Sequence, residues 1–202
     1  MIDFLAIFIF FFAVIDPIGT IPVFIAATRG MSEAIKRKIA LLATLAASAI
    51  LIFFAAVGEY LLSAIGVPLS AFQIAGGIVL FLFALSMIFG ESKPDEEVKL
   101  VENHNDTAIF PLAVPSIASP GAMLAAVLLT EKARFSVSQQ LQTGLTMLAV
   151  LLVVYLLMLG ASFINRIIGS SGASVISRVM GLILAAVATT NTLNGIKLYF
   201  GL

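Results

Sequence analysis

The sequence predicts an all-α membrane protein: six transmembrane helices in two inverted three-helix repeats, with spans one and four broken near mid-membrane. Three observations predict it. The 202 residues are 61% hydrophobic and only 11% charged, with a mean hydropathy of +1.15. A soluble domain carries about 25% charged residues, so there is too little charge here to cover a water-facing surface. The chain also repeats itself: Gln73, Gly76, Ile78 and Gly90 recur as Arg178, Gly181, Ile183 and Gly195 at a constant offset of 105. A second pair, Asp16-Pro17 and Ser119-Pro120, lies 103 positions apart, each followed closely by a glycine, Gly19 and Gly121. Each copy holds three apolar stretches. Three is odd, so the second copy enters the membrane from the opposite side, as in transporters built on inverted repeats.

Spanning takes about 20 apolar residues. Six stretches meet or approach that length: 4–27, 39–57, 71–89, 108–130, 144–164 and 179–199. None alternates apolar and polar residues with period two, which argues against a β-barrel. The first has no Lys or Arg before it and runs on past Ala13, so it reads as a span rather than a cleaved signal. Pro17, Gly19 and Pro22 cannot all sit in an unbroken helix. A break before Asp16 makes that residue an N-cap with Pro17 at the first helical position. Span four repeats the logic: Pro111 and Pro115 distort the incoming half, and Ser119 caps a new helix opened by Pro120. Gly76, Gly77 and Gly181 suit close helix approach in spans three and six.

Residues 1–90 form the first repeat, 91–107 a linker and 108–202 the second repeat. The linker carries Glu91, Asp95, Glu96, Glu97, Glu102 and Asp106 against Lys93 and Lys99, so it is expected to be solvated. The single histidine, His104, lies there without convergent partners, so no metal is expected. There is no cysteine, which excludes disulfides and thiolate metal sites. Lys+Arg and Asp+Glu are equal at 11 each, and nothing points to nucleic acid. Arg29, Lys36, Arg37, Lys38, Lys93, Lys99, Arg166 and Arg178 fall on one side of the six spans, Lys132, Arg134 and Lys197 on the other. The richer side is expected to be cytoplasmic. Both termini then face outward, the 91–106 segment faces the cytoplasm, and Tyr60 and Tyr199 sit at outer ends of spans as interfacial anchors.

Asp16 is the one carboxylate deep in a span. It lies 12 residues past Phe4, roughly 18 Å along a helix. A central carboxylate costs about 2.5–3.5 kcal/mol on insertion scales. The amides and positive dipole end of a restarted helix offset that cost. In the inverted arrangement two helix N-termini meet near the midplane, and each is a ready anion site. Asp16 already supplies charge at the first; Ser119 leaves the second uncompensated. The expected site therefore has an ammonium end at Asp16 and a carboxylate end at the amides near Gly121 and Ala122, the shape of an α-amino acid zwitterion. Asp16, Pro17, Gly19, Ser119, Pro120 and Gly121 are its candidate residues. Asn191 and Asn194, three apart on one face of the unusually polar sixth span, are the likeliest further lining pair among its Thr and Asn residues. Gln73 and Arg178 are equivalent positions near the starts of spans three and six.

The runs DPIGTIPVF (16–24), FQIAGGIVLFLFALSM (72–87), AIFPLAVPSIASPGAM (108–123) and ISRVMGLILAAVATTNTLNGI (176–196) resemble the MarC family of bacterial and archaeal membrane proteins. The resemblance covers essentially the whole chain. It implies six spans, kinship with LysE-type exporters and, for the SnatA-like members, transport of small neutral amino acids such as glycine and alanine. Family members often carry a Gly-Pro-Gly-like break where this chain has Ser119-Pro120-Gly121. The expectation is therefore a secondary transporter in the inner membrane. Its partners would be a small neutral amino acid and the lipid bilayer, a homo-oligomer is compatible, and no cofactor is expected. Asp16 would bind the amino group or carry a coupling proton. The alternative is an exporter or channel for another small solute on the same scaffold. An intramembrane enzyme is disfavoured: there is no HExxH run and no Ser-His pair can form inside the membrane. A GxxxxGK loop is absent, which argues against ATP-driven transport by this chain alone.

Overall fold

The computed structural model describes residues 4–89, 108–132 and 134–201. The expected linker 91–107, with His104, lies outside the described residues. In chain order the elements are α1 (Phe4–Ile15), α2 (Thr20–Ala27), α3 (Glu33–Ala64), α4 (Leu69–Phe89), α5 (Ala108–Ile117), α6 (Pro120–Leu128), α7 (Val137–Leu159) and α8 (Ala161–Phe200). Helices α3, α4, α7 and the Ser171–Phe200 part of α8 are each long and apolar enough to cross a membrane. The pairs α1 with α2 and α5 with α6 are bent by 42° and 51°. Such bends turn the chain without reversing it, so each pair makes one broken span and the total is six.

The breaks fall where the prolines put them. Phe110 and Val114 precede Pro111 and Pro115, and a residue before proline is pushed out of the α region. Both have extended backbones inside α5 (φ −123°, ψ 129° and φ −135°, ψ 127°). The α5 coil is consequently wide, closing with Ala118 N–H on the Ala113 carbonyl at 2.8 Å. Non-helical backbone at membrane depth is tolerated only where protein covers it. Accordingly the broken spans form the core: Phe11, Val14, Ile15, Leu112, Ile117, Ala118 and Ala122 are fully buried. The unbroken spans surround them, and only 28–39% of their apolar windows are buried within the protein. Lipid must cover the rest.

Helices α4 and α8 pack antiparallel at near-backbone contact. A Cβ on Gly195 would lie 3.1 Å from the Ser70 carbonyl, one on Gly77 3.0 Å from the Ala188 carbonyl, and one on Gly181 3.1 Å from the Ala84 carbonyl. Gly77 and the repeated Gly181 and Gly195 therefore hold the third helix of one repeat against the third helix of the other, while the repeated Gly76 faces Leu124 of α6.

Three boundaries differ from the sequence expectation. Span two, expected at 39–57, belongs to a helix that begins at Glu33, because Ser32 caps it and Lys36 pairs with Glu33 at 2.8 Å. Span five, expected at 144–164, ends at Leu159, and the chain turns at Gly160 into α8. Helix α8 is itself interrupted at Gly169 (φ 69°, ψ 169°), a backbone region open essentially to glycine alone.

Candidate functional site

Helix α1 closes with Asp16 N–H on the Phe12 carbonyl at 3.0 Å. Asp16 itself turns left-handed at φ 51°, a conformation that Asp tolerates better than most residues. Its Oδ1 then accepts the Gly19 N–H at 3.0 Å, and its carbonyl accepts the Thr20 N–H at 3.2 Å. These are the bonds of an N-cap. Asp16 therefore caps the turn of residues 17–19 and not α2 itself, which begins at Thr20 with Gly19 at its N-cap rather than at Pro17 as expected.

The second carboxylate oxygen is held from elsewhere. Ser177 Oγ on α8 donates to Asp16 Oδ2 at 2.6 Å. Both groups are buried, Asp16 at 1% exposure and Ser177 at 0%. Among the described residues no Lys or Arg pairs with Asp16. Hydrogen bonds to charged groups contribute about 1.5–3 kcal/mol each, so two donors are enough to offset the insertion cost of the acid. Gly19 is required for this arrangement, since a Cβ there would collide with the Asp16 carboxylate and lie 2.7 Å from Ser177 Oγ.

The second break stands against the first. Ser119 is the N-cap of α6 (φ −69°, ψ 158°), its Oγ accepts the Ala122 N–H at 3.2 Å, and Pro120 opens the helix. The same Oγ donates to the Val14 carbonyl at 3.3 Å, close to where the break ends α1. Ser116 Oγ donates to Thr20 Oγ1 at 3.3 Å, and Thr20 Oγ1 donates to the Asp16 carbonyl at 3.2 Å. A Cβ on Gly121 would meet Val14 Cγ1 at 3.0 Å and Leu80 Cδ1 at 2.7 Å. Asp16, Pro17, Gly19, Ser119 and Gly121 thus lie together, all buried, at the crossing of the two breaks. The Ala122 amide, expected to be open to a ligand, is taken by Ser119. The Gly121 N–H has no acceptor among the described residues.

The remaining candidates lie elsewhere. Pro120 is exposed and lines an apolar groove with Phe54, Phe72 and Met123. Asn191 and Asn194 lie 14 and 17 residues past Ser177 on α8, at least roughly 21 Å along the axis. They line a cavity of about 310 Å³ with Gln73, Arg134 and apolar residues of α1, α6 and α8. The candidate residues therefore divide into a central cluster and a cavity near one end. Arg178, the repeat mate of Gln73, is exposed and donates to the Ile88 carbonyl at 2.8 Å.

Ser177, Thr20 and Ser116 were not among the candidates. Thr20 sits four residues after Asp16 and Ser116 three before Ser119, so helical spacing was a usable signal for both. Ser177 has no such neighbour. Among the described residues no group of three or more His, Cys, Asp or Glu is placed to hold a metal.

Comparison with known families decides the kinship. The model of the MarC family integral membrane protein matches residues 1–200. The chain belongs to the MarC family. It is 34% identical over 189 residues to a UPF0056 membrane protein of Methanocaldococcus jannaschii, covering 92% of each chain. A UPF0056 membrane protein of Archaeoglobus fulgidus is 34% identical over 96% of this chain and 92% of its own. The UPF0056 membrane protein YhcE of Escherichia coli is 32% identical over 94% and 90%. No solved structure matches the chain. The family assignment makes this chain an integral, multi-pass membrane protein, in agreement with its six apolar spans.

Proposed function

We propose that this MarC-family chain is a secondary transporter of small neutral amino acids, with its substrate site at the crossing of the two broken spans. The observation that carries the reading is the buried Asp16 carboxylate, held by one amide and one hydroxyl and, among the described residues, by no basic side chain. The described arrangement is the closed state of that site. When α8 moves away, the Ser177 hydroxyl leaves Oδ2, and a substrate ammonium takes its place. The substrate carboxylate turns to the start of α6, where the Gly121 N–H is open and the helix end is positive. Of the two donors, Gly19 is in the same turn as the acid, and Ser177 alone comes from another element, α8. A substrate-linked shift of α8 against the broken spans would therefore open the site. A proton at Asp16 is the natural co-substrate on the same oxygen.

The eight-to-three Lys and Arg asymmetry supports placement in the inner membrane with both termini outside and the 91–106 segment in the cytoplasm. The test is uptake into proteoliposomes holding the purified protein. Labelled glycine and alanine should accumulate above empty liposomes and compete with each other. Uptake of neither, with transport of an unrelated small solute, would replace this reading with that of an exporter or channel for another cargo.

A further inference from the structure

The cavity lined by Gln73, Asn191 and Asn194 belongs to neither break, and its chemistry is that of a binding site. Its volume of about 310 Å³ is at the lower end of small-molecule sites, about 300–1,000 Å³. Gln73 is 3% exposed and lines the cavity, and its carboxamide is bonded to no other group among the described residues. Its polar atoms are not sealed in protein, since Thr143 Oγ1 alone is enclosed without a partner among the described residues, so a ligand or water in the cavity can take them. The repeat supplies a control. Arg178, 105 positions later, spends its side chain on the carbonyl end of α4, whereas Gln73 has no such structural task. Asn191 and Asn194 add two more carboxamides, and Arg134 adds the one charge among the lining residues. Arg134 keeps only a loose contact with Glu131, at 3.7 Å. The rest of the lining is apolar, including Phe10 and Phe135.

We propose that this cavity is a second, peripheral binding site for a small carboxylate-bearing solute, a vestibule that loads the central site. The inference rests on the transporter reading and deepens it. Arg134 takes the carboxylate, and the carboxamide oxygens of Gln73 and Asn191 take the ammonium. The apolar wall tolerates a short neutral side chain. Asp16 lies six residues beyond Phe10, roughly 9 Å along a helix. Fully buried Phe11, Val14 and Ile15 stand between them, so the two sites are in series and closed to each other in this state.

The chain has no tryptophan, so Phe135→Trp places a single reporter on the cavity wall. In proteoliposomes its fluorescence should change saturably with alanine. The response should persist in Asp16→Asn and need roughly tenfold more alanine in Asn191→Leu, a half-buried position that tolerates an apolar residue. Gln73→Leu, which removes the other acceptor for the ammonium, should weaken it as well. In uptake assays Asn191→Leu should raise KM roughly tenfold with little change in maximal rate, the loss expected for hydrogen bonds to a charged ligand. A reporter blind to alanine in a protein that transports alanine would overturn the vestibule and leave the transporter intact. A saturable response without any uptake would overturn the transporter and leave the cavity standing. A signal that follows phosphatidylglycerol content rather than alanine would make the site a lipid headgroup pocket and overturn the proposal.

Discussion

The two breaks use one recipe with one difference. Each places a side-chain oxygen, a proline and a glycine in order, and each oxygen accepts the N–H three residues on: Gly19 for Asp16 and Ala122 for Ser119. Ser119 does this with a neutral hydroxyl. The capping therefore does not require charge, and Ser ranks with Asp as an N-cap. The charge of Asp16 costs free energy at this depth and adds nothing that the second break lacks. Under the proposed reading it serves a task other than the turn. The second difference follows from the first. Asp16 is in contact with a fourth element through Ser177, whereas Ser119 turns its hydroxyl to the neighbouring break. The acid is the point where the moving candidate, α8, is tied to the broken spans.

The glycines should show the largest contrast. Gly19→Ala drives a Cβ into the carboxylate and the Ser177 hydroxyl, and overpacking of this kind costs about 1–3 kcal/mol. Gly121→Ala meets mainly the flexible end of Leu80, and the helix preference for alanine returns up to about 1 kcal/mol. Thermal unfolding in detergent should show a large drop for the first and a small one for the second. Equal drops would mean that the two breaks are packed alike.

Ser177→Ala comes next. It leaves Asp16 Oδ2 without its donor and should lower stability by about 1.5–3 kcal/mol, while Ser177→Thr keeps the hydroxyl and recovers part of the loss. No change in either would show that the contact between α8 and the acid is idle.

The smallest effect concerns the connections after the breaks. The α6–α7 loop holds buried Glu131, whereas the α2–α3 loop holds no acid before Glu33. Burial pushes the Glu131 carboxyl above its ordinary 4.5, Arg134 opposes, and nearby Glu59 adds to the rise. An acid whose folded pKa is raised binds more protons folded than unfolded. Its contribution to stability is therefore present below about pH 4.5 and lost as pH climbs through the raised value. Glu131→Gln should flatten the melting temperature above pH 4.5. A slope identical to the parent protein would show that Glu131 does not titrate there.

The breaks were legible because their causes are local. Proline dictates the conformation of the residue before it, and Asp or Ser ahead of proline is a cap wherever it occurs. The pairing of the repeats was legible because the glycines recur at a fixed offset, and two of them, Gly181 and Gly195, lie at the α4–α8 contact. The end of span five was not legible. Gly160 and Gly169 sit in apolar text that reads equally well as continuous helix, and packing decides whether a glycine bends. Ser177 was not legible because its partner is 161 positions away and its own neighbours carry no pattern. Asn191 and Asn194 were found as a polar face, but their distance along α8 separates them from the acid that they were grouped with.

The central claim is that the charge of Asp16 serves transport and not the turn. Asp16→Asn keeps the capping oxygen, and Asp16→Ser copies the second break into the first. Both should express and run as one sharp peak in detergent, with Asp16→Ser melting below the parent because Ser177 loses its acceptor. In proteoliposomes both should take up alanine at background rates across the pH range. If either carries alanine at the parental rate with unchanged pH dependence, the carboxylate is only a cap and the proposed site is contradicted.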